Sequence, residues 1–290
     1  PRLAAALERD PSLWDQVEEI CAELLAKKSL QLQEGATLGK WRIAGVLGRG
    51  RQGATVYAAA GAPGPRGQPA EEAAIKFPVE QHEFRCFSLV QQVRGVPEIL
   101  DAGETERGAF VAMPILWAGL AQVLQRLDHD GLGGRMSWDA AKSLGRMLVM
   151  TLQGIHARGV VHCDVKPENV MLRHGAGVMP YLVDFGRARR TDPSLGDGVD
   201  GVVGAMEFNS IRAGRGVAAL SPADDLECAG WLMLRCVVGY LPWRRRIAQF
   251  KRGNVPREAF GEHISREKEE YLEAGCTQRN SRYGYCPPEL

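Results

Sequence analysis

Asp164, Lys166 and Asn169 lie in the run HCDVKPENVML (162–172), and Asp184 follows in VDFG (183–186). Both runs read as short turns beside apolar strands. A carboxylate, an ammonium, an amide and a second carboxylate at these offsets are the set that phosphoryl transfer from ATP needs. Asp164 would orient the attacking hydroxyl and Lys166 would neutralise charge building on the transferred phosphate, while Asn169 and Asp184 would hold Mg²⁺. A plain polar turn accounts for neither the lysine and amide at those offsets nor the Asp-Phe-Gly behind them. His162, at an apolar strand end, reads as a packed residue with a structural role rather than as an acid or base.

Upstream, LGRGRQGATVY (47–57) carries Gly48, Gly50 and Gly53. Glycines let a turn bring backbone N–H groups close to phosphate oxygens without a Cβ in the way. Alone, such a run is a turn as readily as a nucleotide loop. Its weight comes from two charged residues further along the chain. Lys76 ends AAIK on the next expected strand, and Glu83 stands on the helix after it, where a Lys–Glu pair would hold the ammonium towards the α- and β-phosphates.

The elements that must position these residues are read from pattern. Residues 12–28 have apolar spacing near 3.6, early acids and late lysines, an amphipathic helix expected to pack on the main domain. Residues 38–60 read as two strands around a glycine turn, and GAPGPRGQPAEE (61–72) as a surface connection. A strand centred on Ile75, a helix within 79–93 and a hairpin over 97–114, turning at 104–108, complete a mostly antiparallel sheet with one helix. After Pro114 the texture becomes helical: 119–127, 137–159 ending at Gly159, and 224–240, apolar nearly all round and so expected to be deeply buried. The fold class read from this order is α+β, a small β-rich lobe joined near 113–118 to a larger helical one.

Composition sets outer bounds. A chain of 290 residues can bury a substantial core. Its net charge of +1 gives no global field towards nucleic acid or an anionic membrane. No apolar run reaches the roughly 18–20 residues of a membrane span, and the amino terminus lacks a secretory signal's layout. The seven cysteines are scattered with no C-x-x-C pair, which argues against a zinc site and for reduced thiols, hence an intracellular setting, cytoplasmic or nuclear. Beginning at Pro1 and stopping at Leu290, the chain reads as a segment of something longer.

From about residue 38 the chain resembles a eukaryotic-type protein kinase catalytic domain, and within that superfamily it is most similar to the casein kinase 1 and vaccinia-related kinase group. The finer resemblance is carried by RGVPEIL (94–100), GAMEFNSI (204–211) and SPADDLECAGWLMLRCVVGYLPW (221–243), together with the lack of an Ala-Pro-Glu after the activation segment. It implies a bilobal fold, with a helical extension over 1–37, an N-lobe over 38–113 and a C-lobe over 114–290. It implies an ATP- and Mg²⁺-dependent kinase acting on Ser/Thr hydroxyls of protein substrates. Asp164, Lys166, Lys76 and Glu83 would be catalytic and Asn169 and Asp184 would bind metal. Gly48, Gly50, Gly53, Val56, Lys76, Met113, Pro114 and Leu116 would bind ATP, with Met113 the gatekeeper and Pro114 and Leu116 in the hinge. Asp225 would anchor the catalytic loop, and Phe87 would stack with His162 and Phe185.

Four departures from the family pattern carry expectations of their own. The phosphate loop holds one extra residue after Gly53, so that Thr55 or Val56 covers adenine. Cys163 replaces the arginine that receives an activation-loop phosphate, which implies activity independent of such phosphorylation. Ala205 replaces a threonine that bonds the catalytic aspartate and lysine; one such bond is worth about 0.5–1.5 kcal/mol, or roughly 2- to 13-fold in rate. The family's last helices after LPW are expected to be largely missing. Basic residues at Arg187, Arg189 and Arg190, and at Arg244, Arg245 and Arg246, read as solvated faces, the first set favouring acidic or already phosphorylated substrates. An active kinase leads these readings. A pseudokinase scaffold, suggested by Ala205 and the odd loop, is the alternative, and a small-molecule phosphotransferase stands third.

Overall fold

A computed structural model describes residues 32–50, 53–63, 70–174, 178–192, 204–217, 219–250 and 256–274. The helix expected over 12–28 lies outside them, as do Cys21, Cys276 and Cys286. The chain divides into two compact units. One holds the described residues up to Val79 together with Ile99–Ile115; the other holds Glu80–Glu98 and the described residues from Leu116 onward.

The first unit is a six-stranded antiparallel sheet: β1 (Thr37–Leu38), β2 (Trp41–Arg49), β3 (Thr55–Ala60), β4 (Glu72–Val79), β5 (Asp101–Thr105) and β6 (Gly108–Met113), in the order β1-β2-β3-β4-β6-β5. Side chains along β3 alternate between faces, as the two-residue period of a strand requires. Thr55, Tyr57 and Ala59 turn inward while Val56, Ala58 and Ala60 are half-buried. Tyr57 and Ala59 join Trp41, Ile43, Ile75, Phe77, Phe110 and Ala112 in one core. Burying each large side chain there contributes about 1.5–3 kcal/mol. The polar ends of the aromatics are satisfied: the Trp41 indole donates to Asp101 Oδ2 at 2.8 Å, and the Tyr57 hydroxyl accepts from the Leu32 amide at 3.0 Å. Pro78, which has no N–H to give, coincides with an irregular step in the β4–β6 pairing between Lys76 and Val79. The expected hairpin forms with a tighter turn than 104–108, since Thr105 pairs with Gly108 and only Glu106 and Arg107 lie between.

In the second unit α1 (Gln81–Leu89) comes first, followed by short strands and helices. Strands β7 (Ala118–Gly119), β9 (Val170–His174) and β10 (Val178–Leu182) form one antiparallel sheet in the order β10-β9-β7, and β8 (Val160–Val161) pairs with β11 (Arg189–Arg190). The helices are α2 (Leu120–Leu127), α3 (Trp138–His156), α4 (Ile211–Gly214), α5 (Pro222–Val238), α6 (Arg244–Phe250) and α7 (Arg257–Glu273). Ser137 caps α3 by accepting from the Ala140 amide at 3.3 Å, and Gly159, at φ +70°, follows its carboxyl end. Ser221 and Asp224 form a capping box at the start of α5, with Pro222 at its first position.

Three expectations are corrected. The helix sought within 79–93 is shorter, since Gln92 turns to φ +66° soon after its end, and it groups with the second unit rather than with the sheet. Its buried Cys86 and Phe87 and the ring of His82 explain that: Phe87 stacks on Phe185, and His82 Nε2 lies 2.5 Å from the Ala188 carbonyl. Helices α6 and α7 do follow Trp243, and α7 buries Phe260, Ile264 and Tyr271. Arg189 is not on a solvated face, because pairing of β11 with β8 carries it into the interior, while Arg187 and Arg190 are half-buried. Arg244, Arg245 and Arg246 are exposed as expected, and Arg246 pairs with Glu267.

Candidate active site

The turn after β8 is set from below by Asp225, a fully buried carboxylate in the first turn of α5. Its Oδ2 accepts from the His162 amide at 2.7 Å and from His156 Nε2 at 2.8 Å, and its Oδ1 accepts from the Cys163 amide at 2.8 Å. Charge-assisted bonds of this kind are about twice as strong as neutral ones. They explain how Cys163 is held at φ +61°, a left-handed conformation that costs a non-glycine residue about 1–3 kcal/mol. Burial and the neighbouring Asp225 push the Cys163 thiol well above its ordinary range, which keeps it protonated and inert.

His162 is fully buried. Its Nε2 lies 3.1 Å from the Val183 carbonyl and so carries the proton; its Nδ1 accepts from the Asp164 amide at 3.3 Å. With both ring nitrogens committed, the residue orders the turn, as its sequence context indicates. Phe185 stacks on Phe87 with centroids 5.2 Å apart and meets His162 edge-on at 5.0 Å. The column expected of these three rings is present.

Asp164 is buried, and each oxygen of its carboxylate is engaged. Oδ2 accepts from Lys166 Nζ and from Asn169 Nδ2, the latter at 3.0 Å. Oδ1 accepts from the backbone amide of Ala205 at 3.2 Å. Asn169 Nδ2 also bonds the Asp164 carbonyl at 2.8 Å. Both donations use the amide nitrogen of Asn169, which leaves its Oδ1 as the atom suited to a hard cation. A short 3₁₀ turn, Pro167–Asn169, brings Asn169 back under Asp164, and the Val183 amide bonds the Asn169 carbonyl at 2.9 Å, tying the turn to the strand that leads to Asp184. Asp184 is exposed, sits at φ +68° and accepts from the Gly186 amide at 3.4 Å. Two oxygen-donor side chains, Asn169 and Asp184, are a set that fits Mg²⁺, which takes few protein ligands and completes its shell with phosphate and water oxygens.

Glu83 is buried on α1 in this same unit. Lys76 and the glycine-bearing strand pair belong to the first unit. There Gly50 donates to the Ala54 carbonyl at 2.7 Å, Gly53 takes φ +89°, and Gly48 pairs with Val56. Val56 pairs in turn with Lys76, and both are half-buried on the face opposite Thr55 and the core. The register thus sets Val56, not Thr55, beside Lys76. Met113 ends β6 opposite Ala74; Pro114, like Met113, is half-buried in the first unit, and half-buried Leu116 opens the second.

Sequence reasoning missed two contributors. His156 closes the set of donors around Asp225, and nothing in its helix context marks it. Lys268 on α7 is fully buried, and burial pushes its ammonium down to about 8. A signal for it exists in the sequence: the stripe Phe260, Ile264, Lys268, Tyr271 puts a lysine at a core position of an amphipathic helix.

The model of the protein kinase domain family matches residues 79–273, more than half of the chain. Among curated proteins, the chain is 34% identical over 167 residues to a "Probable casein kinase I homolog" of Encephalitozoon cuniculi, a match covering 56% of this chain and 50% of that protein. It is 28% identical over 208 residues to the human serine/threonine-protein kinase VRK2, covering 63% of this chain and 41% of that one. It is 27% identical over 197 residues to the casein kinase 1-like protein HD16 of Oryza sativa subsp. japonica, covering 61% and 27%. The chain thus spans half or less of the length of these relatives. The catalytic-turn geometry and the matched residues agree, and the chain belongs to the protein kinase domain family, with its likeness inside that family running to casein kinase 1 and VRK proteins.

Proposed function

We propose that the protein transfers the γ-phosphoryl group of ATP, with Mg²⁺, to Ser/Thr hydroxyls of protein substrates. The observation that carries this reading is the Asp164 carboxylate, buried and bonded at once by Lys166, Asn169 and the Ala205 amide. A carboxylate so oriented accepts a hydrogen bond from the attacking hydroxyl and takes its proton as the bond to phosphorus forms. Lys166, held against Asp164, offsets negative charge developing on the transferred group. Asn169 Oδ1 and the Asp184 carboxylate would hold Mg²⁺, whose charge would neutralise the phosphate oxygens. Lys76 is assigned to the α- and β-phosphates, the amides around Gly48, Gly50 and Gly53 to the phosphate chain, and Val56, Met113, Pro114 and Leu116 to adenine.

Cys163 in place of an arginine supports activity without an activation-loop phosphate, since the residue at that position carries no guanidinium to receive one. Treatment with phosphatase should leave the rate unchanged, and abolition of activity would reject this part of the reading. Arg187 and Arg190 support a preference for acidic or phosphorylated substrates, to be checked on a peptide array. The buried cysteines Cys86, Cys163, Cys228 and Cys236, none of them in a disulfide, support a reducing compartment, cytoplasmic or nuclear, to be checked by imaging the full-length protein.

A pseudokinase scaffold draws its support from Ala205. Its backbone amide nevertheless reaches Asp164, so what is missing is one hydroxyl, worth about 0.5–1.5 kcal/mol. The deciding experiment is transfer of radiolabelled phosphate from ATP to casein or an acidic peptide, comparing wild type with Asp184→Ala. Transfer lost in the variant supports the kinase; wild type that binds Mg-ATP yet transfers nothing establishes the scaffold.

A further inference from the structure

Residues 204–210 belong to no helix or strand, yet side chains from the carboxyl-terminal part of the chain hold their backbone at short intervals. Arg257 Nη2 donates to the Gly204 carbonyl at 2.8 Å. Lys268 Nζ donates to the carbonyl of Met206 at 3.2 Å, to that of Asn209 at 2.5 Å and to Asn209 Oδ1 at 3.0 Å. The Trp243 indole donates to the Glu207 carbonyl at 2.9 Å, and Ser265 Oγ to the Ile211 carbonyl at 3.1 Å. Arg257, Ser265 and Lys268 all come from α7.

Burying an ammonium is costly unless its donors are taken and its charge is met. Lys268 offsets part of that cost: its donors point at carbonyl oxygens, and it lies 5.3 Å from the ring centroid of Trp243 and 5.8 Å from that of Trp231. An arrangement this specific fixes backbone. The segment it fixes ends on the catalytic turn. Gly204 sits at φ +79° so close beneath the Cys163 carbonyl that a Cβ would collide with it, and the next residue gives its amide to Asp164 Oδ1. An error of about 1 Å in such a donor is enough to cost roughly 100-fold in rate.

We propose that α7 is a positioning clamp for the catalytic aspartate, with Lys268 and Arg257 as positioning residues that hold residues 204–209 so that the Ala205 amide meets Asp164. The inference rests on the kinase reading of Asp164. It adds that the peptide side of the site is built by fixed donors from α7, which touch neither substrate nor nucleotide.

The test uses Arg257→Ala, at an exposed position where folding is not at risk, and Lys268→Met, which keeps length and removes the donors. Three quantities are measured on each variant: kcat with a peptide acceptor, Kd for Mg-ATP, and amide hydrogen exchange along the chain. The clamp predicts that kcat falls about tenfold in each while Kd stays within about twofold. It also predicts that added exchange is confined to residues 204–211. Should Lys268→Met not fold, Arg257→Ala decides alone. Unchanged kcat and exchange in Arg257→Ala would overturn the clamp, as would losses spread evenly over α3 and α5 with nucleotide binding lost in parallel. Absence of transfer by wild type would instead strike the kinase reading, and the exchange measurement would still show whether α7 holds the segment.

Discussion

One carboxylate, Asp225, takes the His162 and Cys163 amides and the His156 ring, and so holds a left-handed residue next to the catalytic aspartate. Asp225→Asn keeps the shape but turns an amide nitrogen towards groups that donate. We expect a loss of about 3 kcal/mol in unfolding free energy by urea titration. We also expect peptide phosphorylation to fall by about 100-fold or more, because the turn at Cys163 loses its restraint. A variant with wild-type stability and rate would show that the turn holds itself. Ala205 offers the opposite experiment. Ala205→Thr keeps the backbone bond to Asp164 and adds a hydroxyl able to reach Asp164 or Lys166, so kcat should rise roughly 2- to 13-fold, checked under saturating ATP. The role of Asp225 was legible in the DDLE run because the motif travels with the resemblance. The buried state of Arg189 was not, because it depends on β11 meeting β8, a pairing between residues far apart that no local pattern encodes.

At the level of elements, strands and helices with clear periodicity were readable, and their partners were not. The alternation of β3 and the long amphipathic stretch of α3 are local properties, and both appear where the pattern placed them. The grouping of α1 with the second unit comes from Phe87 and His82 meeting residues nearly a hundred positions away or more. Helix α7 was hidden for another reason: its sequence is strongly charged, and its apolar stripe is interrupted by Lys268, which becomes a core residue only because carbonyls of residues 206 and 209 surround it. Helix ends were legible through their caps. Gly239, at φ +88°, terminates α5 with its Cα pressed so near the Gly133 carbonyl that a Cβ has no room. Gly239→Ala should therefore destabilise the protein by about 2 kcal/mol or more, from the left-handed backbone and the collision together. Chemical denaturation checks this, and a change below about 0.5 kcal/mol would mean the loop at Gly133 yields freely.

Across the molecule, the buried ionisable groups make stability depend on pH in two opposed ways. Burial pushes the Cys236 thiol from its ordinary 9.0 up to about 12, against the pull of Arg235, and pushes Cys163 and Cys228 up as well. Above pH 9 the unfolded chain releases these protons while the folded chain keeps them. Stability from the thiols is therefore fully present below pH 9 and is lost as pH rises towards the folded values, at up to about 1.4 kcal/mol per pH unit per thiol. Lys268 runs the other way. Its ammonium is pushed from 10.5 down to about 8, so the folded chain gives up that proton first, and its contribution is present above 10.5 and lost as pH falls through 8. Between pH 8 and 9 these buried thiols are silent and the lysine makes stability climb; above 9 the three thiols oppose it and stability should fall. Urea midpoints measured from pH 7.5 to 10 on three proteins separate the two contributions. Cys236→Ala should show a shallower fall above pH 9 with an unchanged slope below it, and Lys268→Met should lose the climb between 8 and 9. Three parallel curves would mean that neither buried group governs the pH dependence, and that the core around α5 and α7 exchanges protons with solvent as freely as the unfolded chain does.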